Sequence, residues 1–298
     1  MNSLKEAAAK RKRNAILTLL LAAAAVASYF IATKIVIPEQ NYNQAKYLLS
    51  SGKYADAYTA FIGMQGYKDV DTLLKTDQNL LAAAAAREAK LKSCKTVGST
   101  VTFGTYPQTS GGADNTPIEW IVLDTDGKKS LLISKYALDT KPYNTSYKAV
   151  TWETCTLRSW LNKDFLGKAF SSAEQGAILT TNVDNSKAQG NSGYSTSGGN
   201  NTQDKVFLLS YAEAGKYFKD DNARKCAPTD YAIKQGAYTN LSDRADGRAT
   251  GWWWLRSPGR RRYSAASVYF DGSRLNGVYN TDSVVRPAFW LNLESGIF

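Results

Sequence analysis

The sequence predicts a domain of the α+β class, preceded by a transmembrane helix and a helical spacer. Three observations support this prediction: a long apolar run near the N-terminus, helical periodicity in the next segment, and short strand patterns from residue 97 onward. The chain of 298 residues is 43% hydrophobic and 12% aromatic, a composition typical of a globular protein with a packed core.

The N-terminal region has the pattern of a signal anchor. Residues 1–14 hold five basic side chains and one acidic one, and residues 15–33 carry no charge. The apolar span 15–37 is long enough to cross a bilayer. The positive-inside rule then predicts a cytoplasmic tail at 1–14 and an extracellular position for residues 39–298. A cleaved signal peptide is the alternative, but the apolar run continues well beyond the small residues at 25–27, which favours a retained anchor.

Residues 39–95 predict a helical stalk. Apolar residues recur at helical spacing on both sides of Gly52, in a pattern similar to one tetratricopeptide-like helix pair, and an alanine-rich helix follows. At least three such units are needed to bury a continuous core, so a spacer is favoured over a peptide-binding module.

Residues 97–298 predict short strands, two or more helices and many loops. An Asp-Gly pair at 126–127 is typical of a hairpin turn, and the pairs Ser171/Glu174 and Ser210/Glu213 have the spacing of capping boxes that begin helices. The polar, glycine-rich stretch 184–204 predicts a long exposed loop.

The residue inventory excludes several kinds of site. No histidine occurs, which excludes Ser-His-Asp, Cys-His and HExxH catalysis. Cys94, Cys155 and Cys226 are too far apart for a CxxC knuckle, so no zinc or redox site is expected. Cys155 and Cys226 either form a disulfide or are buried free thiols. The acidic ends of the stretch 184–204 lack EF-hand spacing, so calcium is a weak alternative and no cofactor is expected.

The interval between two aromatic brackets is the most unusual part of the chain. The brackets, 252–255 and 286–291, predict core strands that fix what lies between them. Ala266 and Val268 alternate with Ser267 and Tyr269 before a turn at 271–272, which predicts one anchored and one exposed face. The exposed face would gather the side chain types that dominate recognition surfaces. These are Arg260, Arg261, Arg262, Tyr263, Tyr269, Phe270, Arg274 and Tyr279.

The composition of this interval is biased in a second way. Residues 257–283 contain no Lys, Glu, Gln, Met or Trp. These five amino acids cannot be reached from an AAC or AAT codon by changing its two leading adenines.

Six short motifs are similar to those of a family of gut-bacterial surface domains of formally unknown function, and the resemblance covers about residues 97–293. They are VTFGTYPQ, TLRSWLN, KVFLLSYAEA, CAPTDYA, WWLRSPG and VRPAFWLNL. Some members of that family are the variable proteins of diversity-generating retroelements, in which adenine-directed mutagenic reverse transcription rewrites chosen codons on a rigid scaffold. The resemblance implies a C-type-lectin-like fold, which is also that of formylglycine-generating enzymes. The reactive cysteine pair of those enzymes has no counterpart here, so the chain is not expected to be an enzyme.

The resemblance also implies which positions vary and which form the frame. The implied variable, ligand-binding positions are Arg260, Arg261, Arg262, Tyr263, Ser264, Ser267, Tyr269, Phe270, Ser273, Arg274, Leu275, Asn276, Tyr279, Asn280, Thr281 and Asp282. The implied frame is Ala265, Ala266, Val268, Asp271, Gly272, Gly277 and Val278.

The expected function is therefore that of a membrane-anchored, outward-facing binding protein with a diversified patch. Its expected partner is an extracellular protein or glycan, and nucleic acid is not expected because the basic patch is small and faces outside the cell. Two alternatives stay open: an ordinary cell-surface structural domain, and an enzyme, either a relative of the formylglycine-type oxidases or an acidic-residue hydrolase.

Overall fold

The computed structural model describes residues 32–275 and 283–297, and four isolated positions before them: Thr18, Ala25, Ser28 and Tyr29. Within this described part, no helix combines the length and the apolar character needed to cross a membrane. The predicted cytoplasmic tail, 1–14, and most of the predicted transmembrane span, 15–37, lie outside the described residues.

Two compact units make up the chain, Met1–Ala89 and Lys90–Phe298. The boundary falls inside the helix Gln78–Cys94, slightly before the predicted end of the stalk. The last turns of this helix group with the second unit because Leu91 and Cys94 pack against its hydrophobic core.

The first unit is helical in its described part. After a π-helical turn at Ala32–Val36, its helices are α1 (Ile37–Ser50), α2 (Tyr54–Ile62), α3 (Val70–Thr76) and most of α4 (Gln78–Cys94). Gly52, with φ of 75°, lies in the turn between α1 and α2, which confirms the predicted helix pair. The helices bury a small core of their own: Ala45, Ala57, Phe61, Val70 and Leu80.

The second unit is a mixed α+β domain, which confirms the predicted class. Its helices are α5 (Thr156–Trp160), α6 (Leu166–Ala169), α7 (Ser172–Ala177), α8 (Tyr211–Tyr217), α9 (Asp221–Arg224) and α10 (Asp230–Lys234). A π-helical turn, Leu161–Phe165, joins α5 to α6, and 3₁₀ turns lie at Trp152–Thr154 and Lys187–Gln189. Both predicted capping boxes are present, because Ser171 and Ser210 each exchange hydrogen bonds with the glutamate three residues later.

The strands of this domain form two main sheets and two small hairpins. They are β1 (Thr100–Tyr106), β2 (Thr116–Thr125), β3 (Lys129–Ser134), β4 (Asp139–Thr140), β5 (Thr181–Val183), β6 (Thr202–Asp204), β7 (Asn240–Ala245), β8 (Arg248–Thr250), β9 (Trp253–Pro258), β10 (Ala265–Val268), β11 (Arg274–Leu275), β12 (Val284–Val285) and β13 (Ala288–Asn292). The first sheet is antiparallel with the order β1-β2-β3-β13, and the second has the order β11-β10-β9-β12-β4. The hairpins pair β5 with β6 and β7 with β8.

The second aromatic bracket connects the two main sheets. The strand that leads into it, β12, pairs in parallel with β9 and places Val284 opposite Trp253. The strand that it forms, β13, pairs with β3 in the other sheet. The short Arg286-Pro287 link between β12 and β13 therefore crosses from one sheet to the other.

The prediction of a long exposed loop at 184–204 is wrong in part. Its last residues form β6, and Asp204 and Asn185 are buried. The carboxylate of Asp204 accepts hydrogen bonds from the Trp152 indole at 2.9 Å and from Arg158 Nε at 2.6 Å. Pairing with two donors from distant parts of the chain offsets the burial of this charge.

A buried arginine joins three segments of the second unit. The side chain of Arg256, on β9, is 1% exposed. Its guanidinium donates to the backbone oxygens of Leu208 at 2.8 Å and Asp184 at 3.1 Å. It also forms a two-point ion pair with the carboxylate of Glu213 on α8, with 2.8 Å between Nη2 and Oε1. One side chain thus fixes β9 against α8 and against the start of the 184–204 segment.

We expect Glu213→Gln to destabilise the second unit by about 3 kcal/mol, because it leaves the buried Arg256 charge without its counter-ion. All seven tryptophans lie in this unit, so urea unfolding followed by tryptophan fluorescence reports on it. Glu294→Gln is the matched control, since Glu294 pairs with Lys128 on the surface at 3.7 Å, and its loss should leave the transition almost unchanged. Equal stabilities of the two variants would show that the Arg256 charge does not need Glu213.

Candidate ligand-recognition surface

The first bracket anchors the surface through buried aromatic side chains. Trp253, Trp254 and Leu255 on β9 are almost completely buried. The indole nitrogens of the two tryptophans donate to the backbone oxygens of Arg224 and Lys141, at 3.1 and 2.9 Å. The buried rings thus have their polar atoms satisfied, which fits a fixed core strand and confirms the predicted core role for Trp253, Trp254 and Leu255.

The second bracket buries a charge between aromatic rings. Arg286 is 1% exposed, and its guanidinium carbon lies 5.2 Å from the ring centroid of Phe218 and 5.0 Å from that of Trp253. Its Nε donates to the backbone oxygen of Ser134 at 2.9 Å. Burial lowers the pKa of this guanidinium from its usual value. Arg256 and Arg286 therefore belong to the interior rather than to the basic surface.

The loop Gly259–Ser264 between β9 and β10 is held mainly through its backbone. The Gly259 N–H donates to the Ser264 oxygen at 2.8 Å, and the Val150 N–H donates to the Arg262 oxygen at 3.0 Å. The Thr196 hydroxyl donates to the Gly259 oxygen at 2.6 Å. These contacts fix the path of the loop while the side chains of residues 260–262 remain exposed, as predicted.

Arginine and tyrosine form an ordered group on this loop. Arg261 Nη1 donates to the Tyr263 hydroxyl at 2.6 Å, and the Tyr263 ring lies 4.5 Å from that of Tyr147, measured between centroids. Hydrogen bonds from Tyr147 and Arg261 lower the pKa of the Tyr263 phenol from its usual value. Tyr147 is 61% exposed. The sequence did not indicate Tyr147, because it lies more than a hundred residues away in a polar stretch.

A second aromatic group is centred on residues just before β9 and just after β10. The Trp252 ring lies 4.4 Å from that of Tyr269 and 5.3 Å from that of Tyr238, and Tyr269 lies 4.2 Å from Phe270. All four side chains are partly exposed. Tyr269 and Phe270 are thus accessible as predicted. The sequence predicts that Trp252 is a core bracket residue, whereas the structure places it in this surface group.

The predicted alternation along β10 is wrong. Ala265, Ala266, Ser267 and Val268 are all buried, and Ser267 is only 4% exposed. β10 is an interior strand between β9 and β11, and both of its faces are covered. Ser267 is therefore not available for direct contact with a ligand, whereas the three apolar residues are buried as the predicted frame requires.

The side chains of Arg274 and Ser264 are also engaged in contacts within the domain. Arg274 Nη1 donates to the Tyr211 backbone oxygen at 2.7 Å, and its guanidinium lies 4.3 Å from the Tyr211 ring on α8. Ser264 is partly buried, and its hydroxyl donates to the Arg261 oxygen at 2.9 Å within the loop. Both side chains thus stabilise the structure they belong to.

The remaining predicted positions lie in or beyond the turn after β10. Ser273 is partly exposed, and the structure describes only the backbone of Leu275, in β11. The other positions lie outside the described residues: Asn276, Gly277, Val278, Tyr279, Asn280, Thr281 and Asp282.

The turn between β10 and β11 is built on Gly272. Its φ is 88°, and a Cβ at this position would overlap the backbone oxygen of Asp221 on α9. Arg224 Nε donates to the Gly272 oxygen at 2.9 Å, and the Ser273 N–H donates to the Asp271 carboxylate at 2.9 Å. These contacts give a physical reason for the predicted frame role of Asp271 and Gly272.

The described residues contain no group of three or more Cys, Asp or Glu side chains placed to hold a metal ion. At the ends of the stretch 184–204, where the sequence leaves calcium as a weak alternative, the Asp184 carboxylate accepts hydrogen bonds from the Ser186 N–H and from Gln189, and Asp204 is buried and paired. Cys155 and Cys226 are free and buried, and burial raises the pKa of both thiols, to about 12 for Cys155. Such thiols are unreactive at neutral pH.

Comparison with known proteins gives a family but no function. A family model described as "Domain of unknown function (DUF6273)" matches residues 127–293, more than half of the chain. No curated protein and no solved structure matches.

We expect Gly272→Ala to loosen the turn between β10 and β11, because its methyl group has no room beside α9. Gly127→Ala is a matched control, since Gly127 has a similar φ of 87°, but a methyl group there would meet no heavy atom within 4 Å. The control should cost about 1 kcal/mol from backbone strain alone, and Gly272→Ala should cost at least twice as much. The free energy of unfolding and the hydrogen exchange of the Tyr269 amide measure the difference. Equal effects would show that contact with α9 does not hold the turn.

Proposed function

The chain belongs to this family of domains of unknown function, and on that premise we propose that it is a membrane-anchored, outward-facing binding protein. In this proposal the second unit has a C-type-lectin-like fold, and the interval between the brackets carries ligand-binding positions diversified by a retroelement. The ligand is an extracellular protein or glycan, and the chain is not an enzyme.

The contrast in burial between the brackets and the loop carries the proposal. Trp253 to Arg256 are buried, whereas residues 260–262, only a few positions later, are exposed. The loop conformation depends largely on backbone hydrogen bonds, which persist when side chains change. A binding surface whose residues are exchanged needs this arrangement, because substitution then alters contacts without altering the core.

The chemistry of the exposed side chains supports binding. Arginine and tyrosine are enriched among the residues that dominate binding energy, because they combine large contact area with directional polar groups. Arg261, Tyr263 and Tyr147 are already held together by a hydrogen bond and a tilted contact between the two tyrosine rings. Less conformational entropy is then lost when a ligand binds.

Two further observations support the location and the fold of the proposal. The basic tail and the uncharged span 15–33 are the sequence pattern of a signal anchor. The mixed domain, whose last strand β13 returns to the sheet that contains β1, is compatible with a C-type-lectin-like arrangement.

Sequencing the genomic neighbourhood tests the retroelement. We expect a reverse transcriptase gene and a near-copy of the coding region for residues 252–293, which differs from the gene only where the copy has adenine. A neighbourhood that lacks both would contradict diversification. The exposed surface would then be the remaining support for a binding function.

Tolerance to substitution tests the division between surface and frame. Asparagine is the residue that an unmodified AAC or AAT codon encodes, so we compare Arg260→Asn, Arg262→Asn and Ser267→Asn. The first two should change the free energy of unfolding by less than about 0.5 kcal/mol, because both side chains are exposed. Ser267→Asn should cost about 1–3 kcal/mol, since it adds volume at a buried position.

Urea unfolding followed by tryptophan fluorescence measures all three variants. A loss of more than about 2 kcal/mol for either arginine would show that it holds the fold and is not part of an exchangeable surface.

A further inference from the structure

We infer that a cleft beside the loop Gly259–Ser264 is a subsite for the acidic group of a saccharide, either a carboxylate or a sulfate. The inference rests on the proposed binding function and specifies the chemistry of its ligand. The cleft has a volume of about 440 Å³, within the range of small-molecule sites. Three segments line it: residues 149–151 with Thr154, residues 195–197, and Pro258 with Arg262.

Arg262 supplies the positive charge of the cleft. Its side chain is exposed, and within the described part of the chain its guanidinium has neither a hydrogen-bond partner nor an ion-pair partner. Its backbone is fixed by the hydrogen bond from Val150 at 3.0 Å, so the side chain starts from a defined position at the cleft. A guanidinium offers parallel donors that match the oxygens of a carboxylate or a sulfate.

The neighbouring acidic side chain does not form an ion pair with Arg262. Glu153 lies in the 3₁₀ turn beside the cleft but is not among its lining residues. Its carboxylate accepts hydrogen bonds from the backbone N–H and the side-chain amide of Asn200, at 3.3 and 3.1 Å. Arg260 and Arg261 are also exposed on the same loop and add positive potential. The local field therefore favours an anion.

The walls of the cleft favour a saccharide over an acidic peptide. Five hydroxyl side chains line it: Thr151, Thr154, Ser195, Thr196 and Ser197. A hydroxyl both donates and accepts hydrogen bonds, as the hydroxyls of a sugar do. Ala149, Val150 and Pro258 add small apolar surfaces suited to the C–H groups of a pyranose ring. The lining contains no aromatic side chain of the kind that anchors a peptide.

Only one lining residue belongs to the positions proposed to vary. The hydroxyl walls at 149–154 and 195–197 lie outside the interval 260–282, whereas Arg262 lies inside it. Exchange of residue 262 would therefore change the requirement for an acidic group while the hydroxyl contacts remain. The cleft would then be a sugar-binding site with constant walls, in which the exchangeable residue 262 decides whether an acidic group is required.

Isothermal titration calorimetry with the full-length chain tests the inference. The probes are the methyl glycoside of glucuronic acid, glucose 6-sulfate, methyl glucoside as the neutral sugar, and sodium sulfate as the free anion. We expect at least one acidic sugar to bind, with methyl glucoside and sodium sulfate each at least about tenfold weaker. Arg262→Gln should weaken the acidic sugar about tenfold or more and leave the neutral sugar unchanged.

Arg244→Gln is the matched control, because Arg244 is an exposed arginine on β7 and does not line the cleft. Failure of both acidic sugars to bind, binding that survives Arg262→Gln, or sodium sulfate binding as tightly as the sugars would each overturn the subsite. These outcomes are separate from failure of the proposed function. The gene neighbourhood and the substitution tolerance test that function without any sugar.

Discussion

The ion pair between Arg256 and Glu213 is the contact on which the candidate surface depends most. Arg256 precedes the loop Gly259–Ser264 by three residues, and its ion pair joins β9 to α8. The same guanidinium also bonds the backbone at Leu208 and Asp184. A buried charge of this kind stabilises only while every partner is in place, so it selects one relative position of these segments. The buried Arg256 thus helps to fix the backbone from which the exposed arginines at 260–262 extend.

The second bracket extends this constraint across the domain. Between β12 and β13 the chain crosses from the second sheet to the first, and Arg286 sits at that crossing between the rings of Phe218 and Trp253. The Trp253 ring therefore contacts a side chain from the other end of the interval. The two brackets are thus one packed structure, which explains why both are rich in aromatic residues. The chain leaves the core after the first bracket and returns to it at the second, and the contact between Trp253 and Arg286 holds these two points together.

Local signals in the sequence predicted most of the framework. The capping boxes at α7 and α8, the hairpin turn at 126–127 and the helix pair around Gly52 depend on residues close together in the chain, and all are present. What could not be predicted depends on contacts between distant segments. Ser267 is buried because both faces of β10 are covered, and Tyr147 belongs to the surface because its ring contacts that of Tyr263, more than a hundred residues later. The sequence places Asp204 in an exposed loop for the same reason, since its partners Trp152 and Arg158 precede it by about fifty residues.

The two exposed parts of the interval differ in how they are held, and this difference bears on what each can do. Backbone atoms and two hydroxyls fix the loop Gly259–Ser264, so the exposed side chains of residues 260–262 are free to change without changing its path. The turn at Gly272 instead depends on the fit of a glycine against Asp221, a bond from Arg224 and the seat of Arg274 on Tyr211. Substitution there changes the support as well as the surface. Residues that contact a ligand can therefore be exchanged at little cost in stability mainly in the loop Gly259–Ser264. The turn at Gly272 instead holds the aromatic side chains of Tyr269 and Phe270 in a nearly constant position.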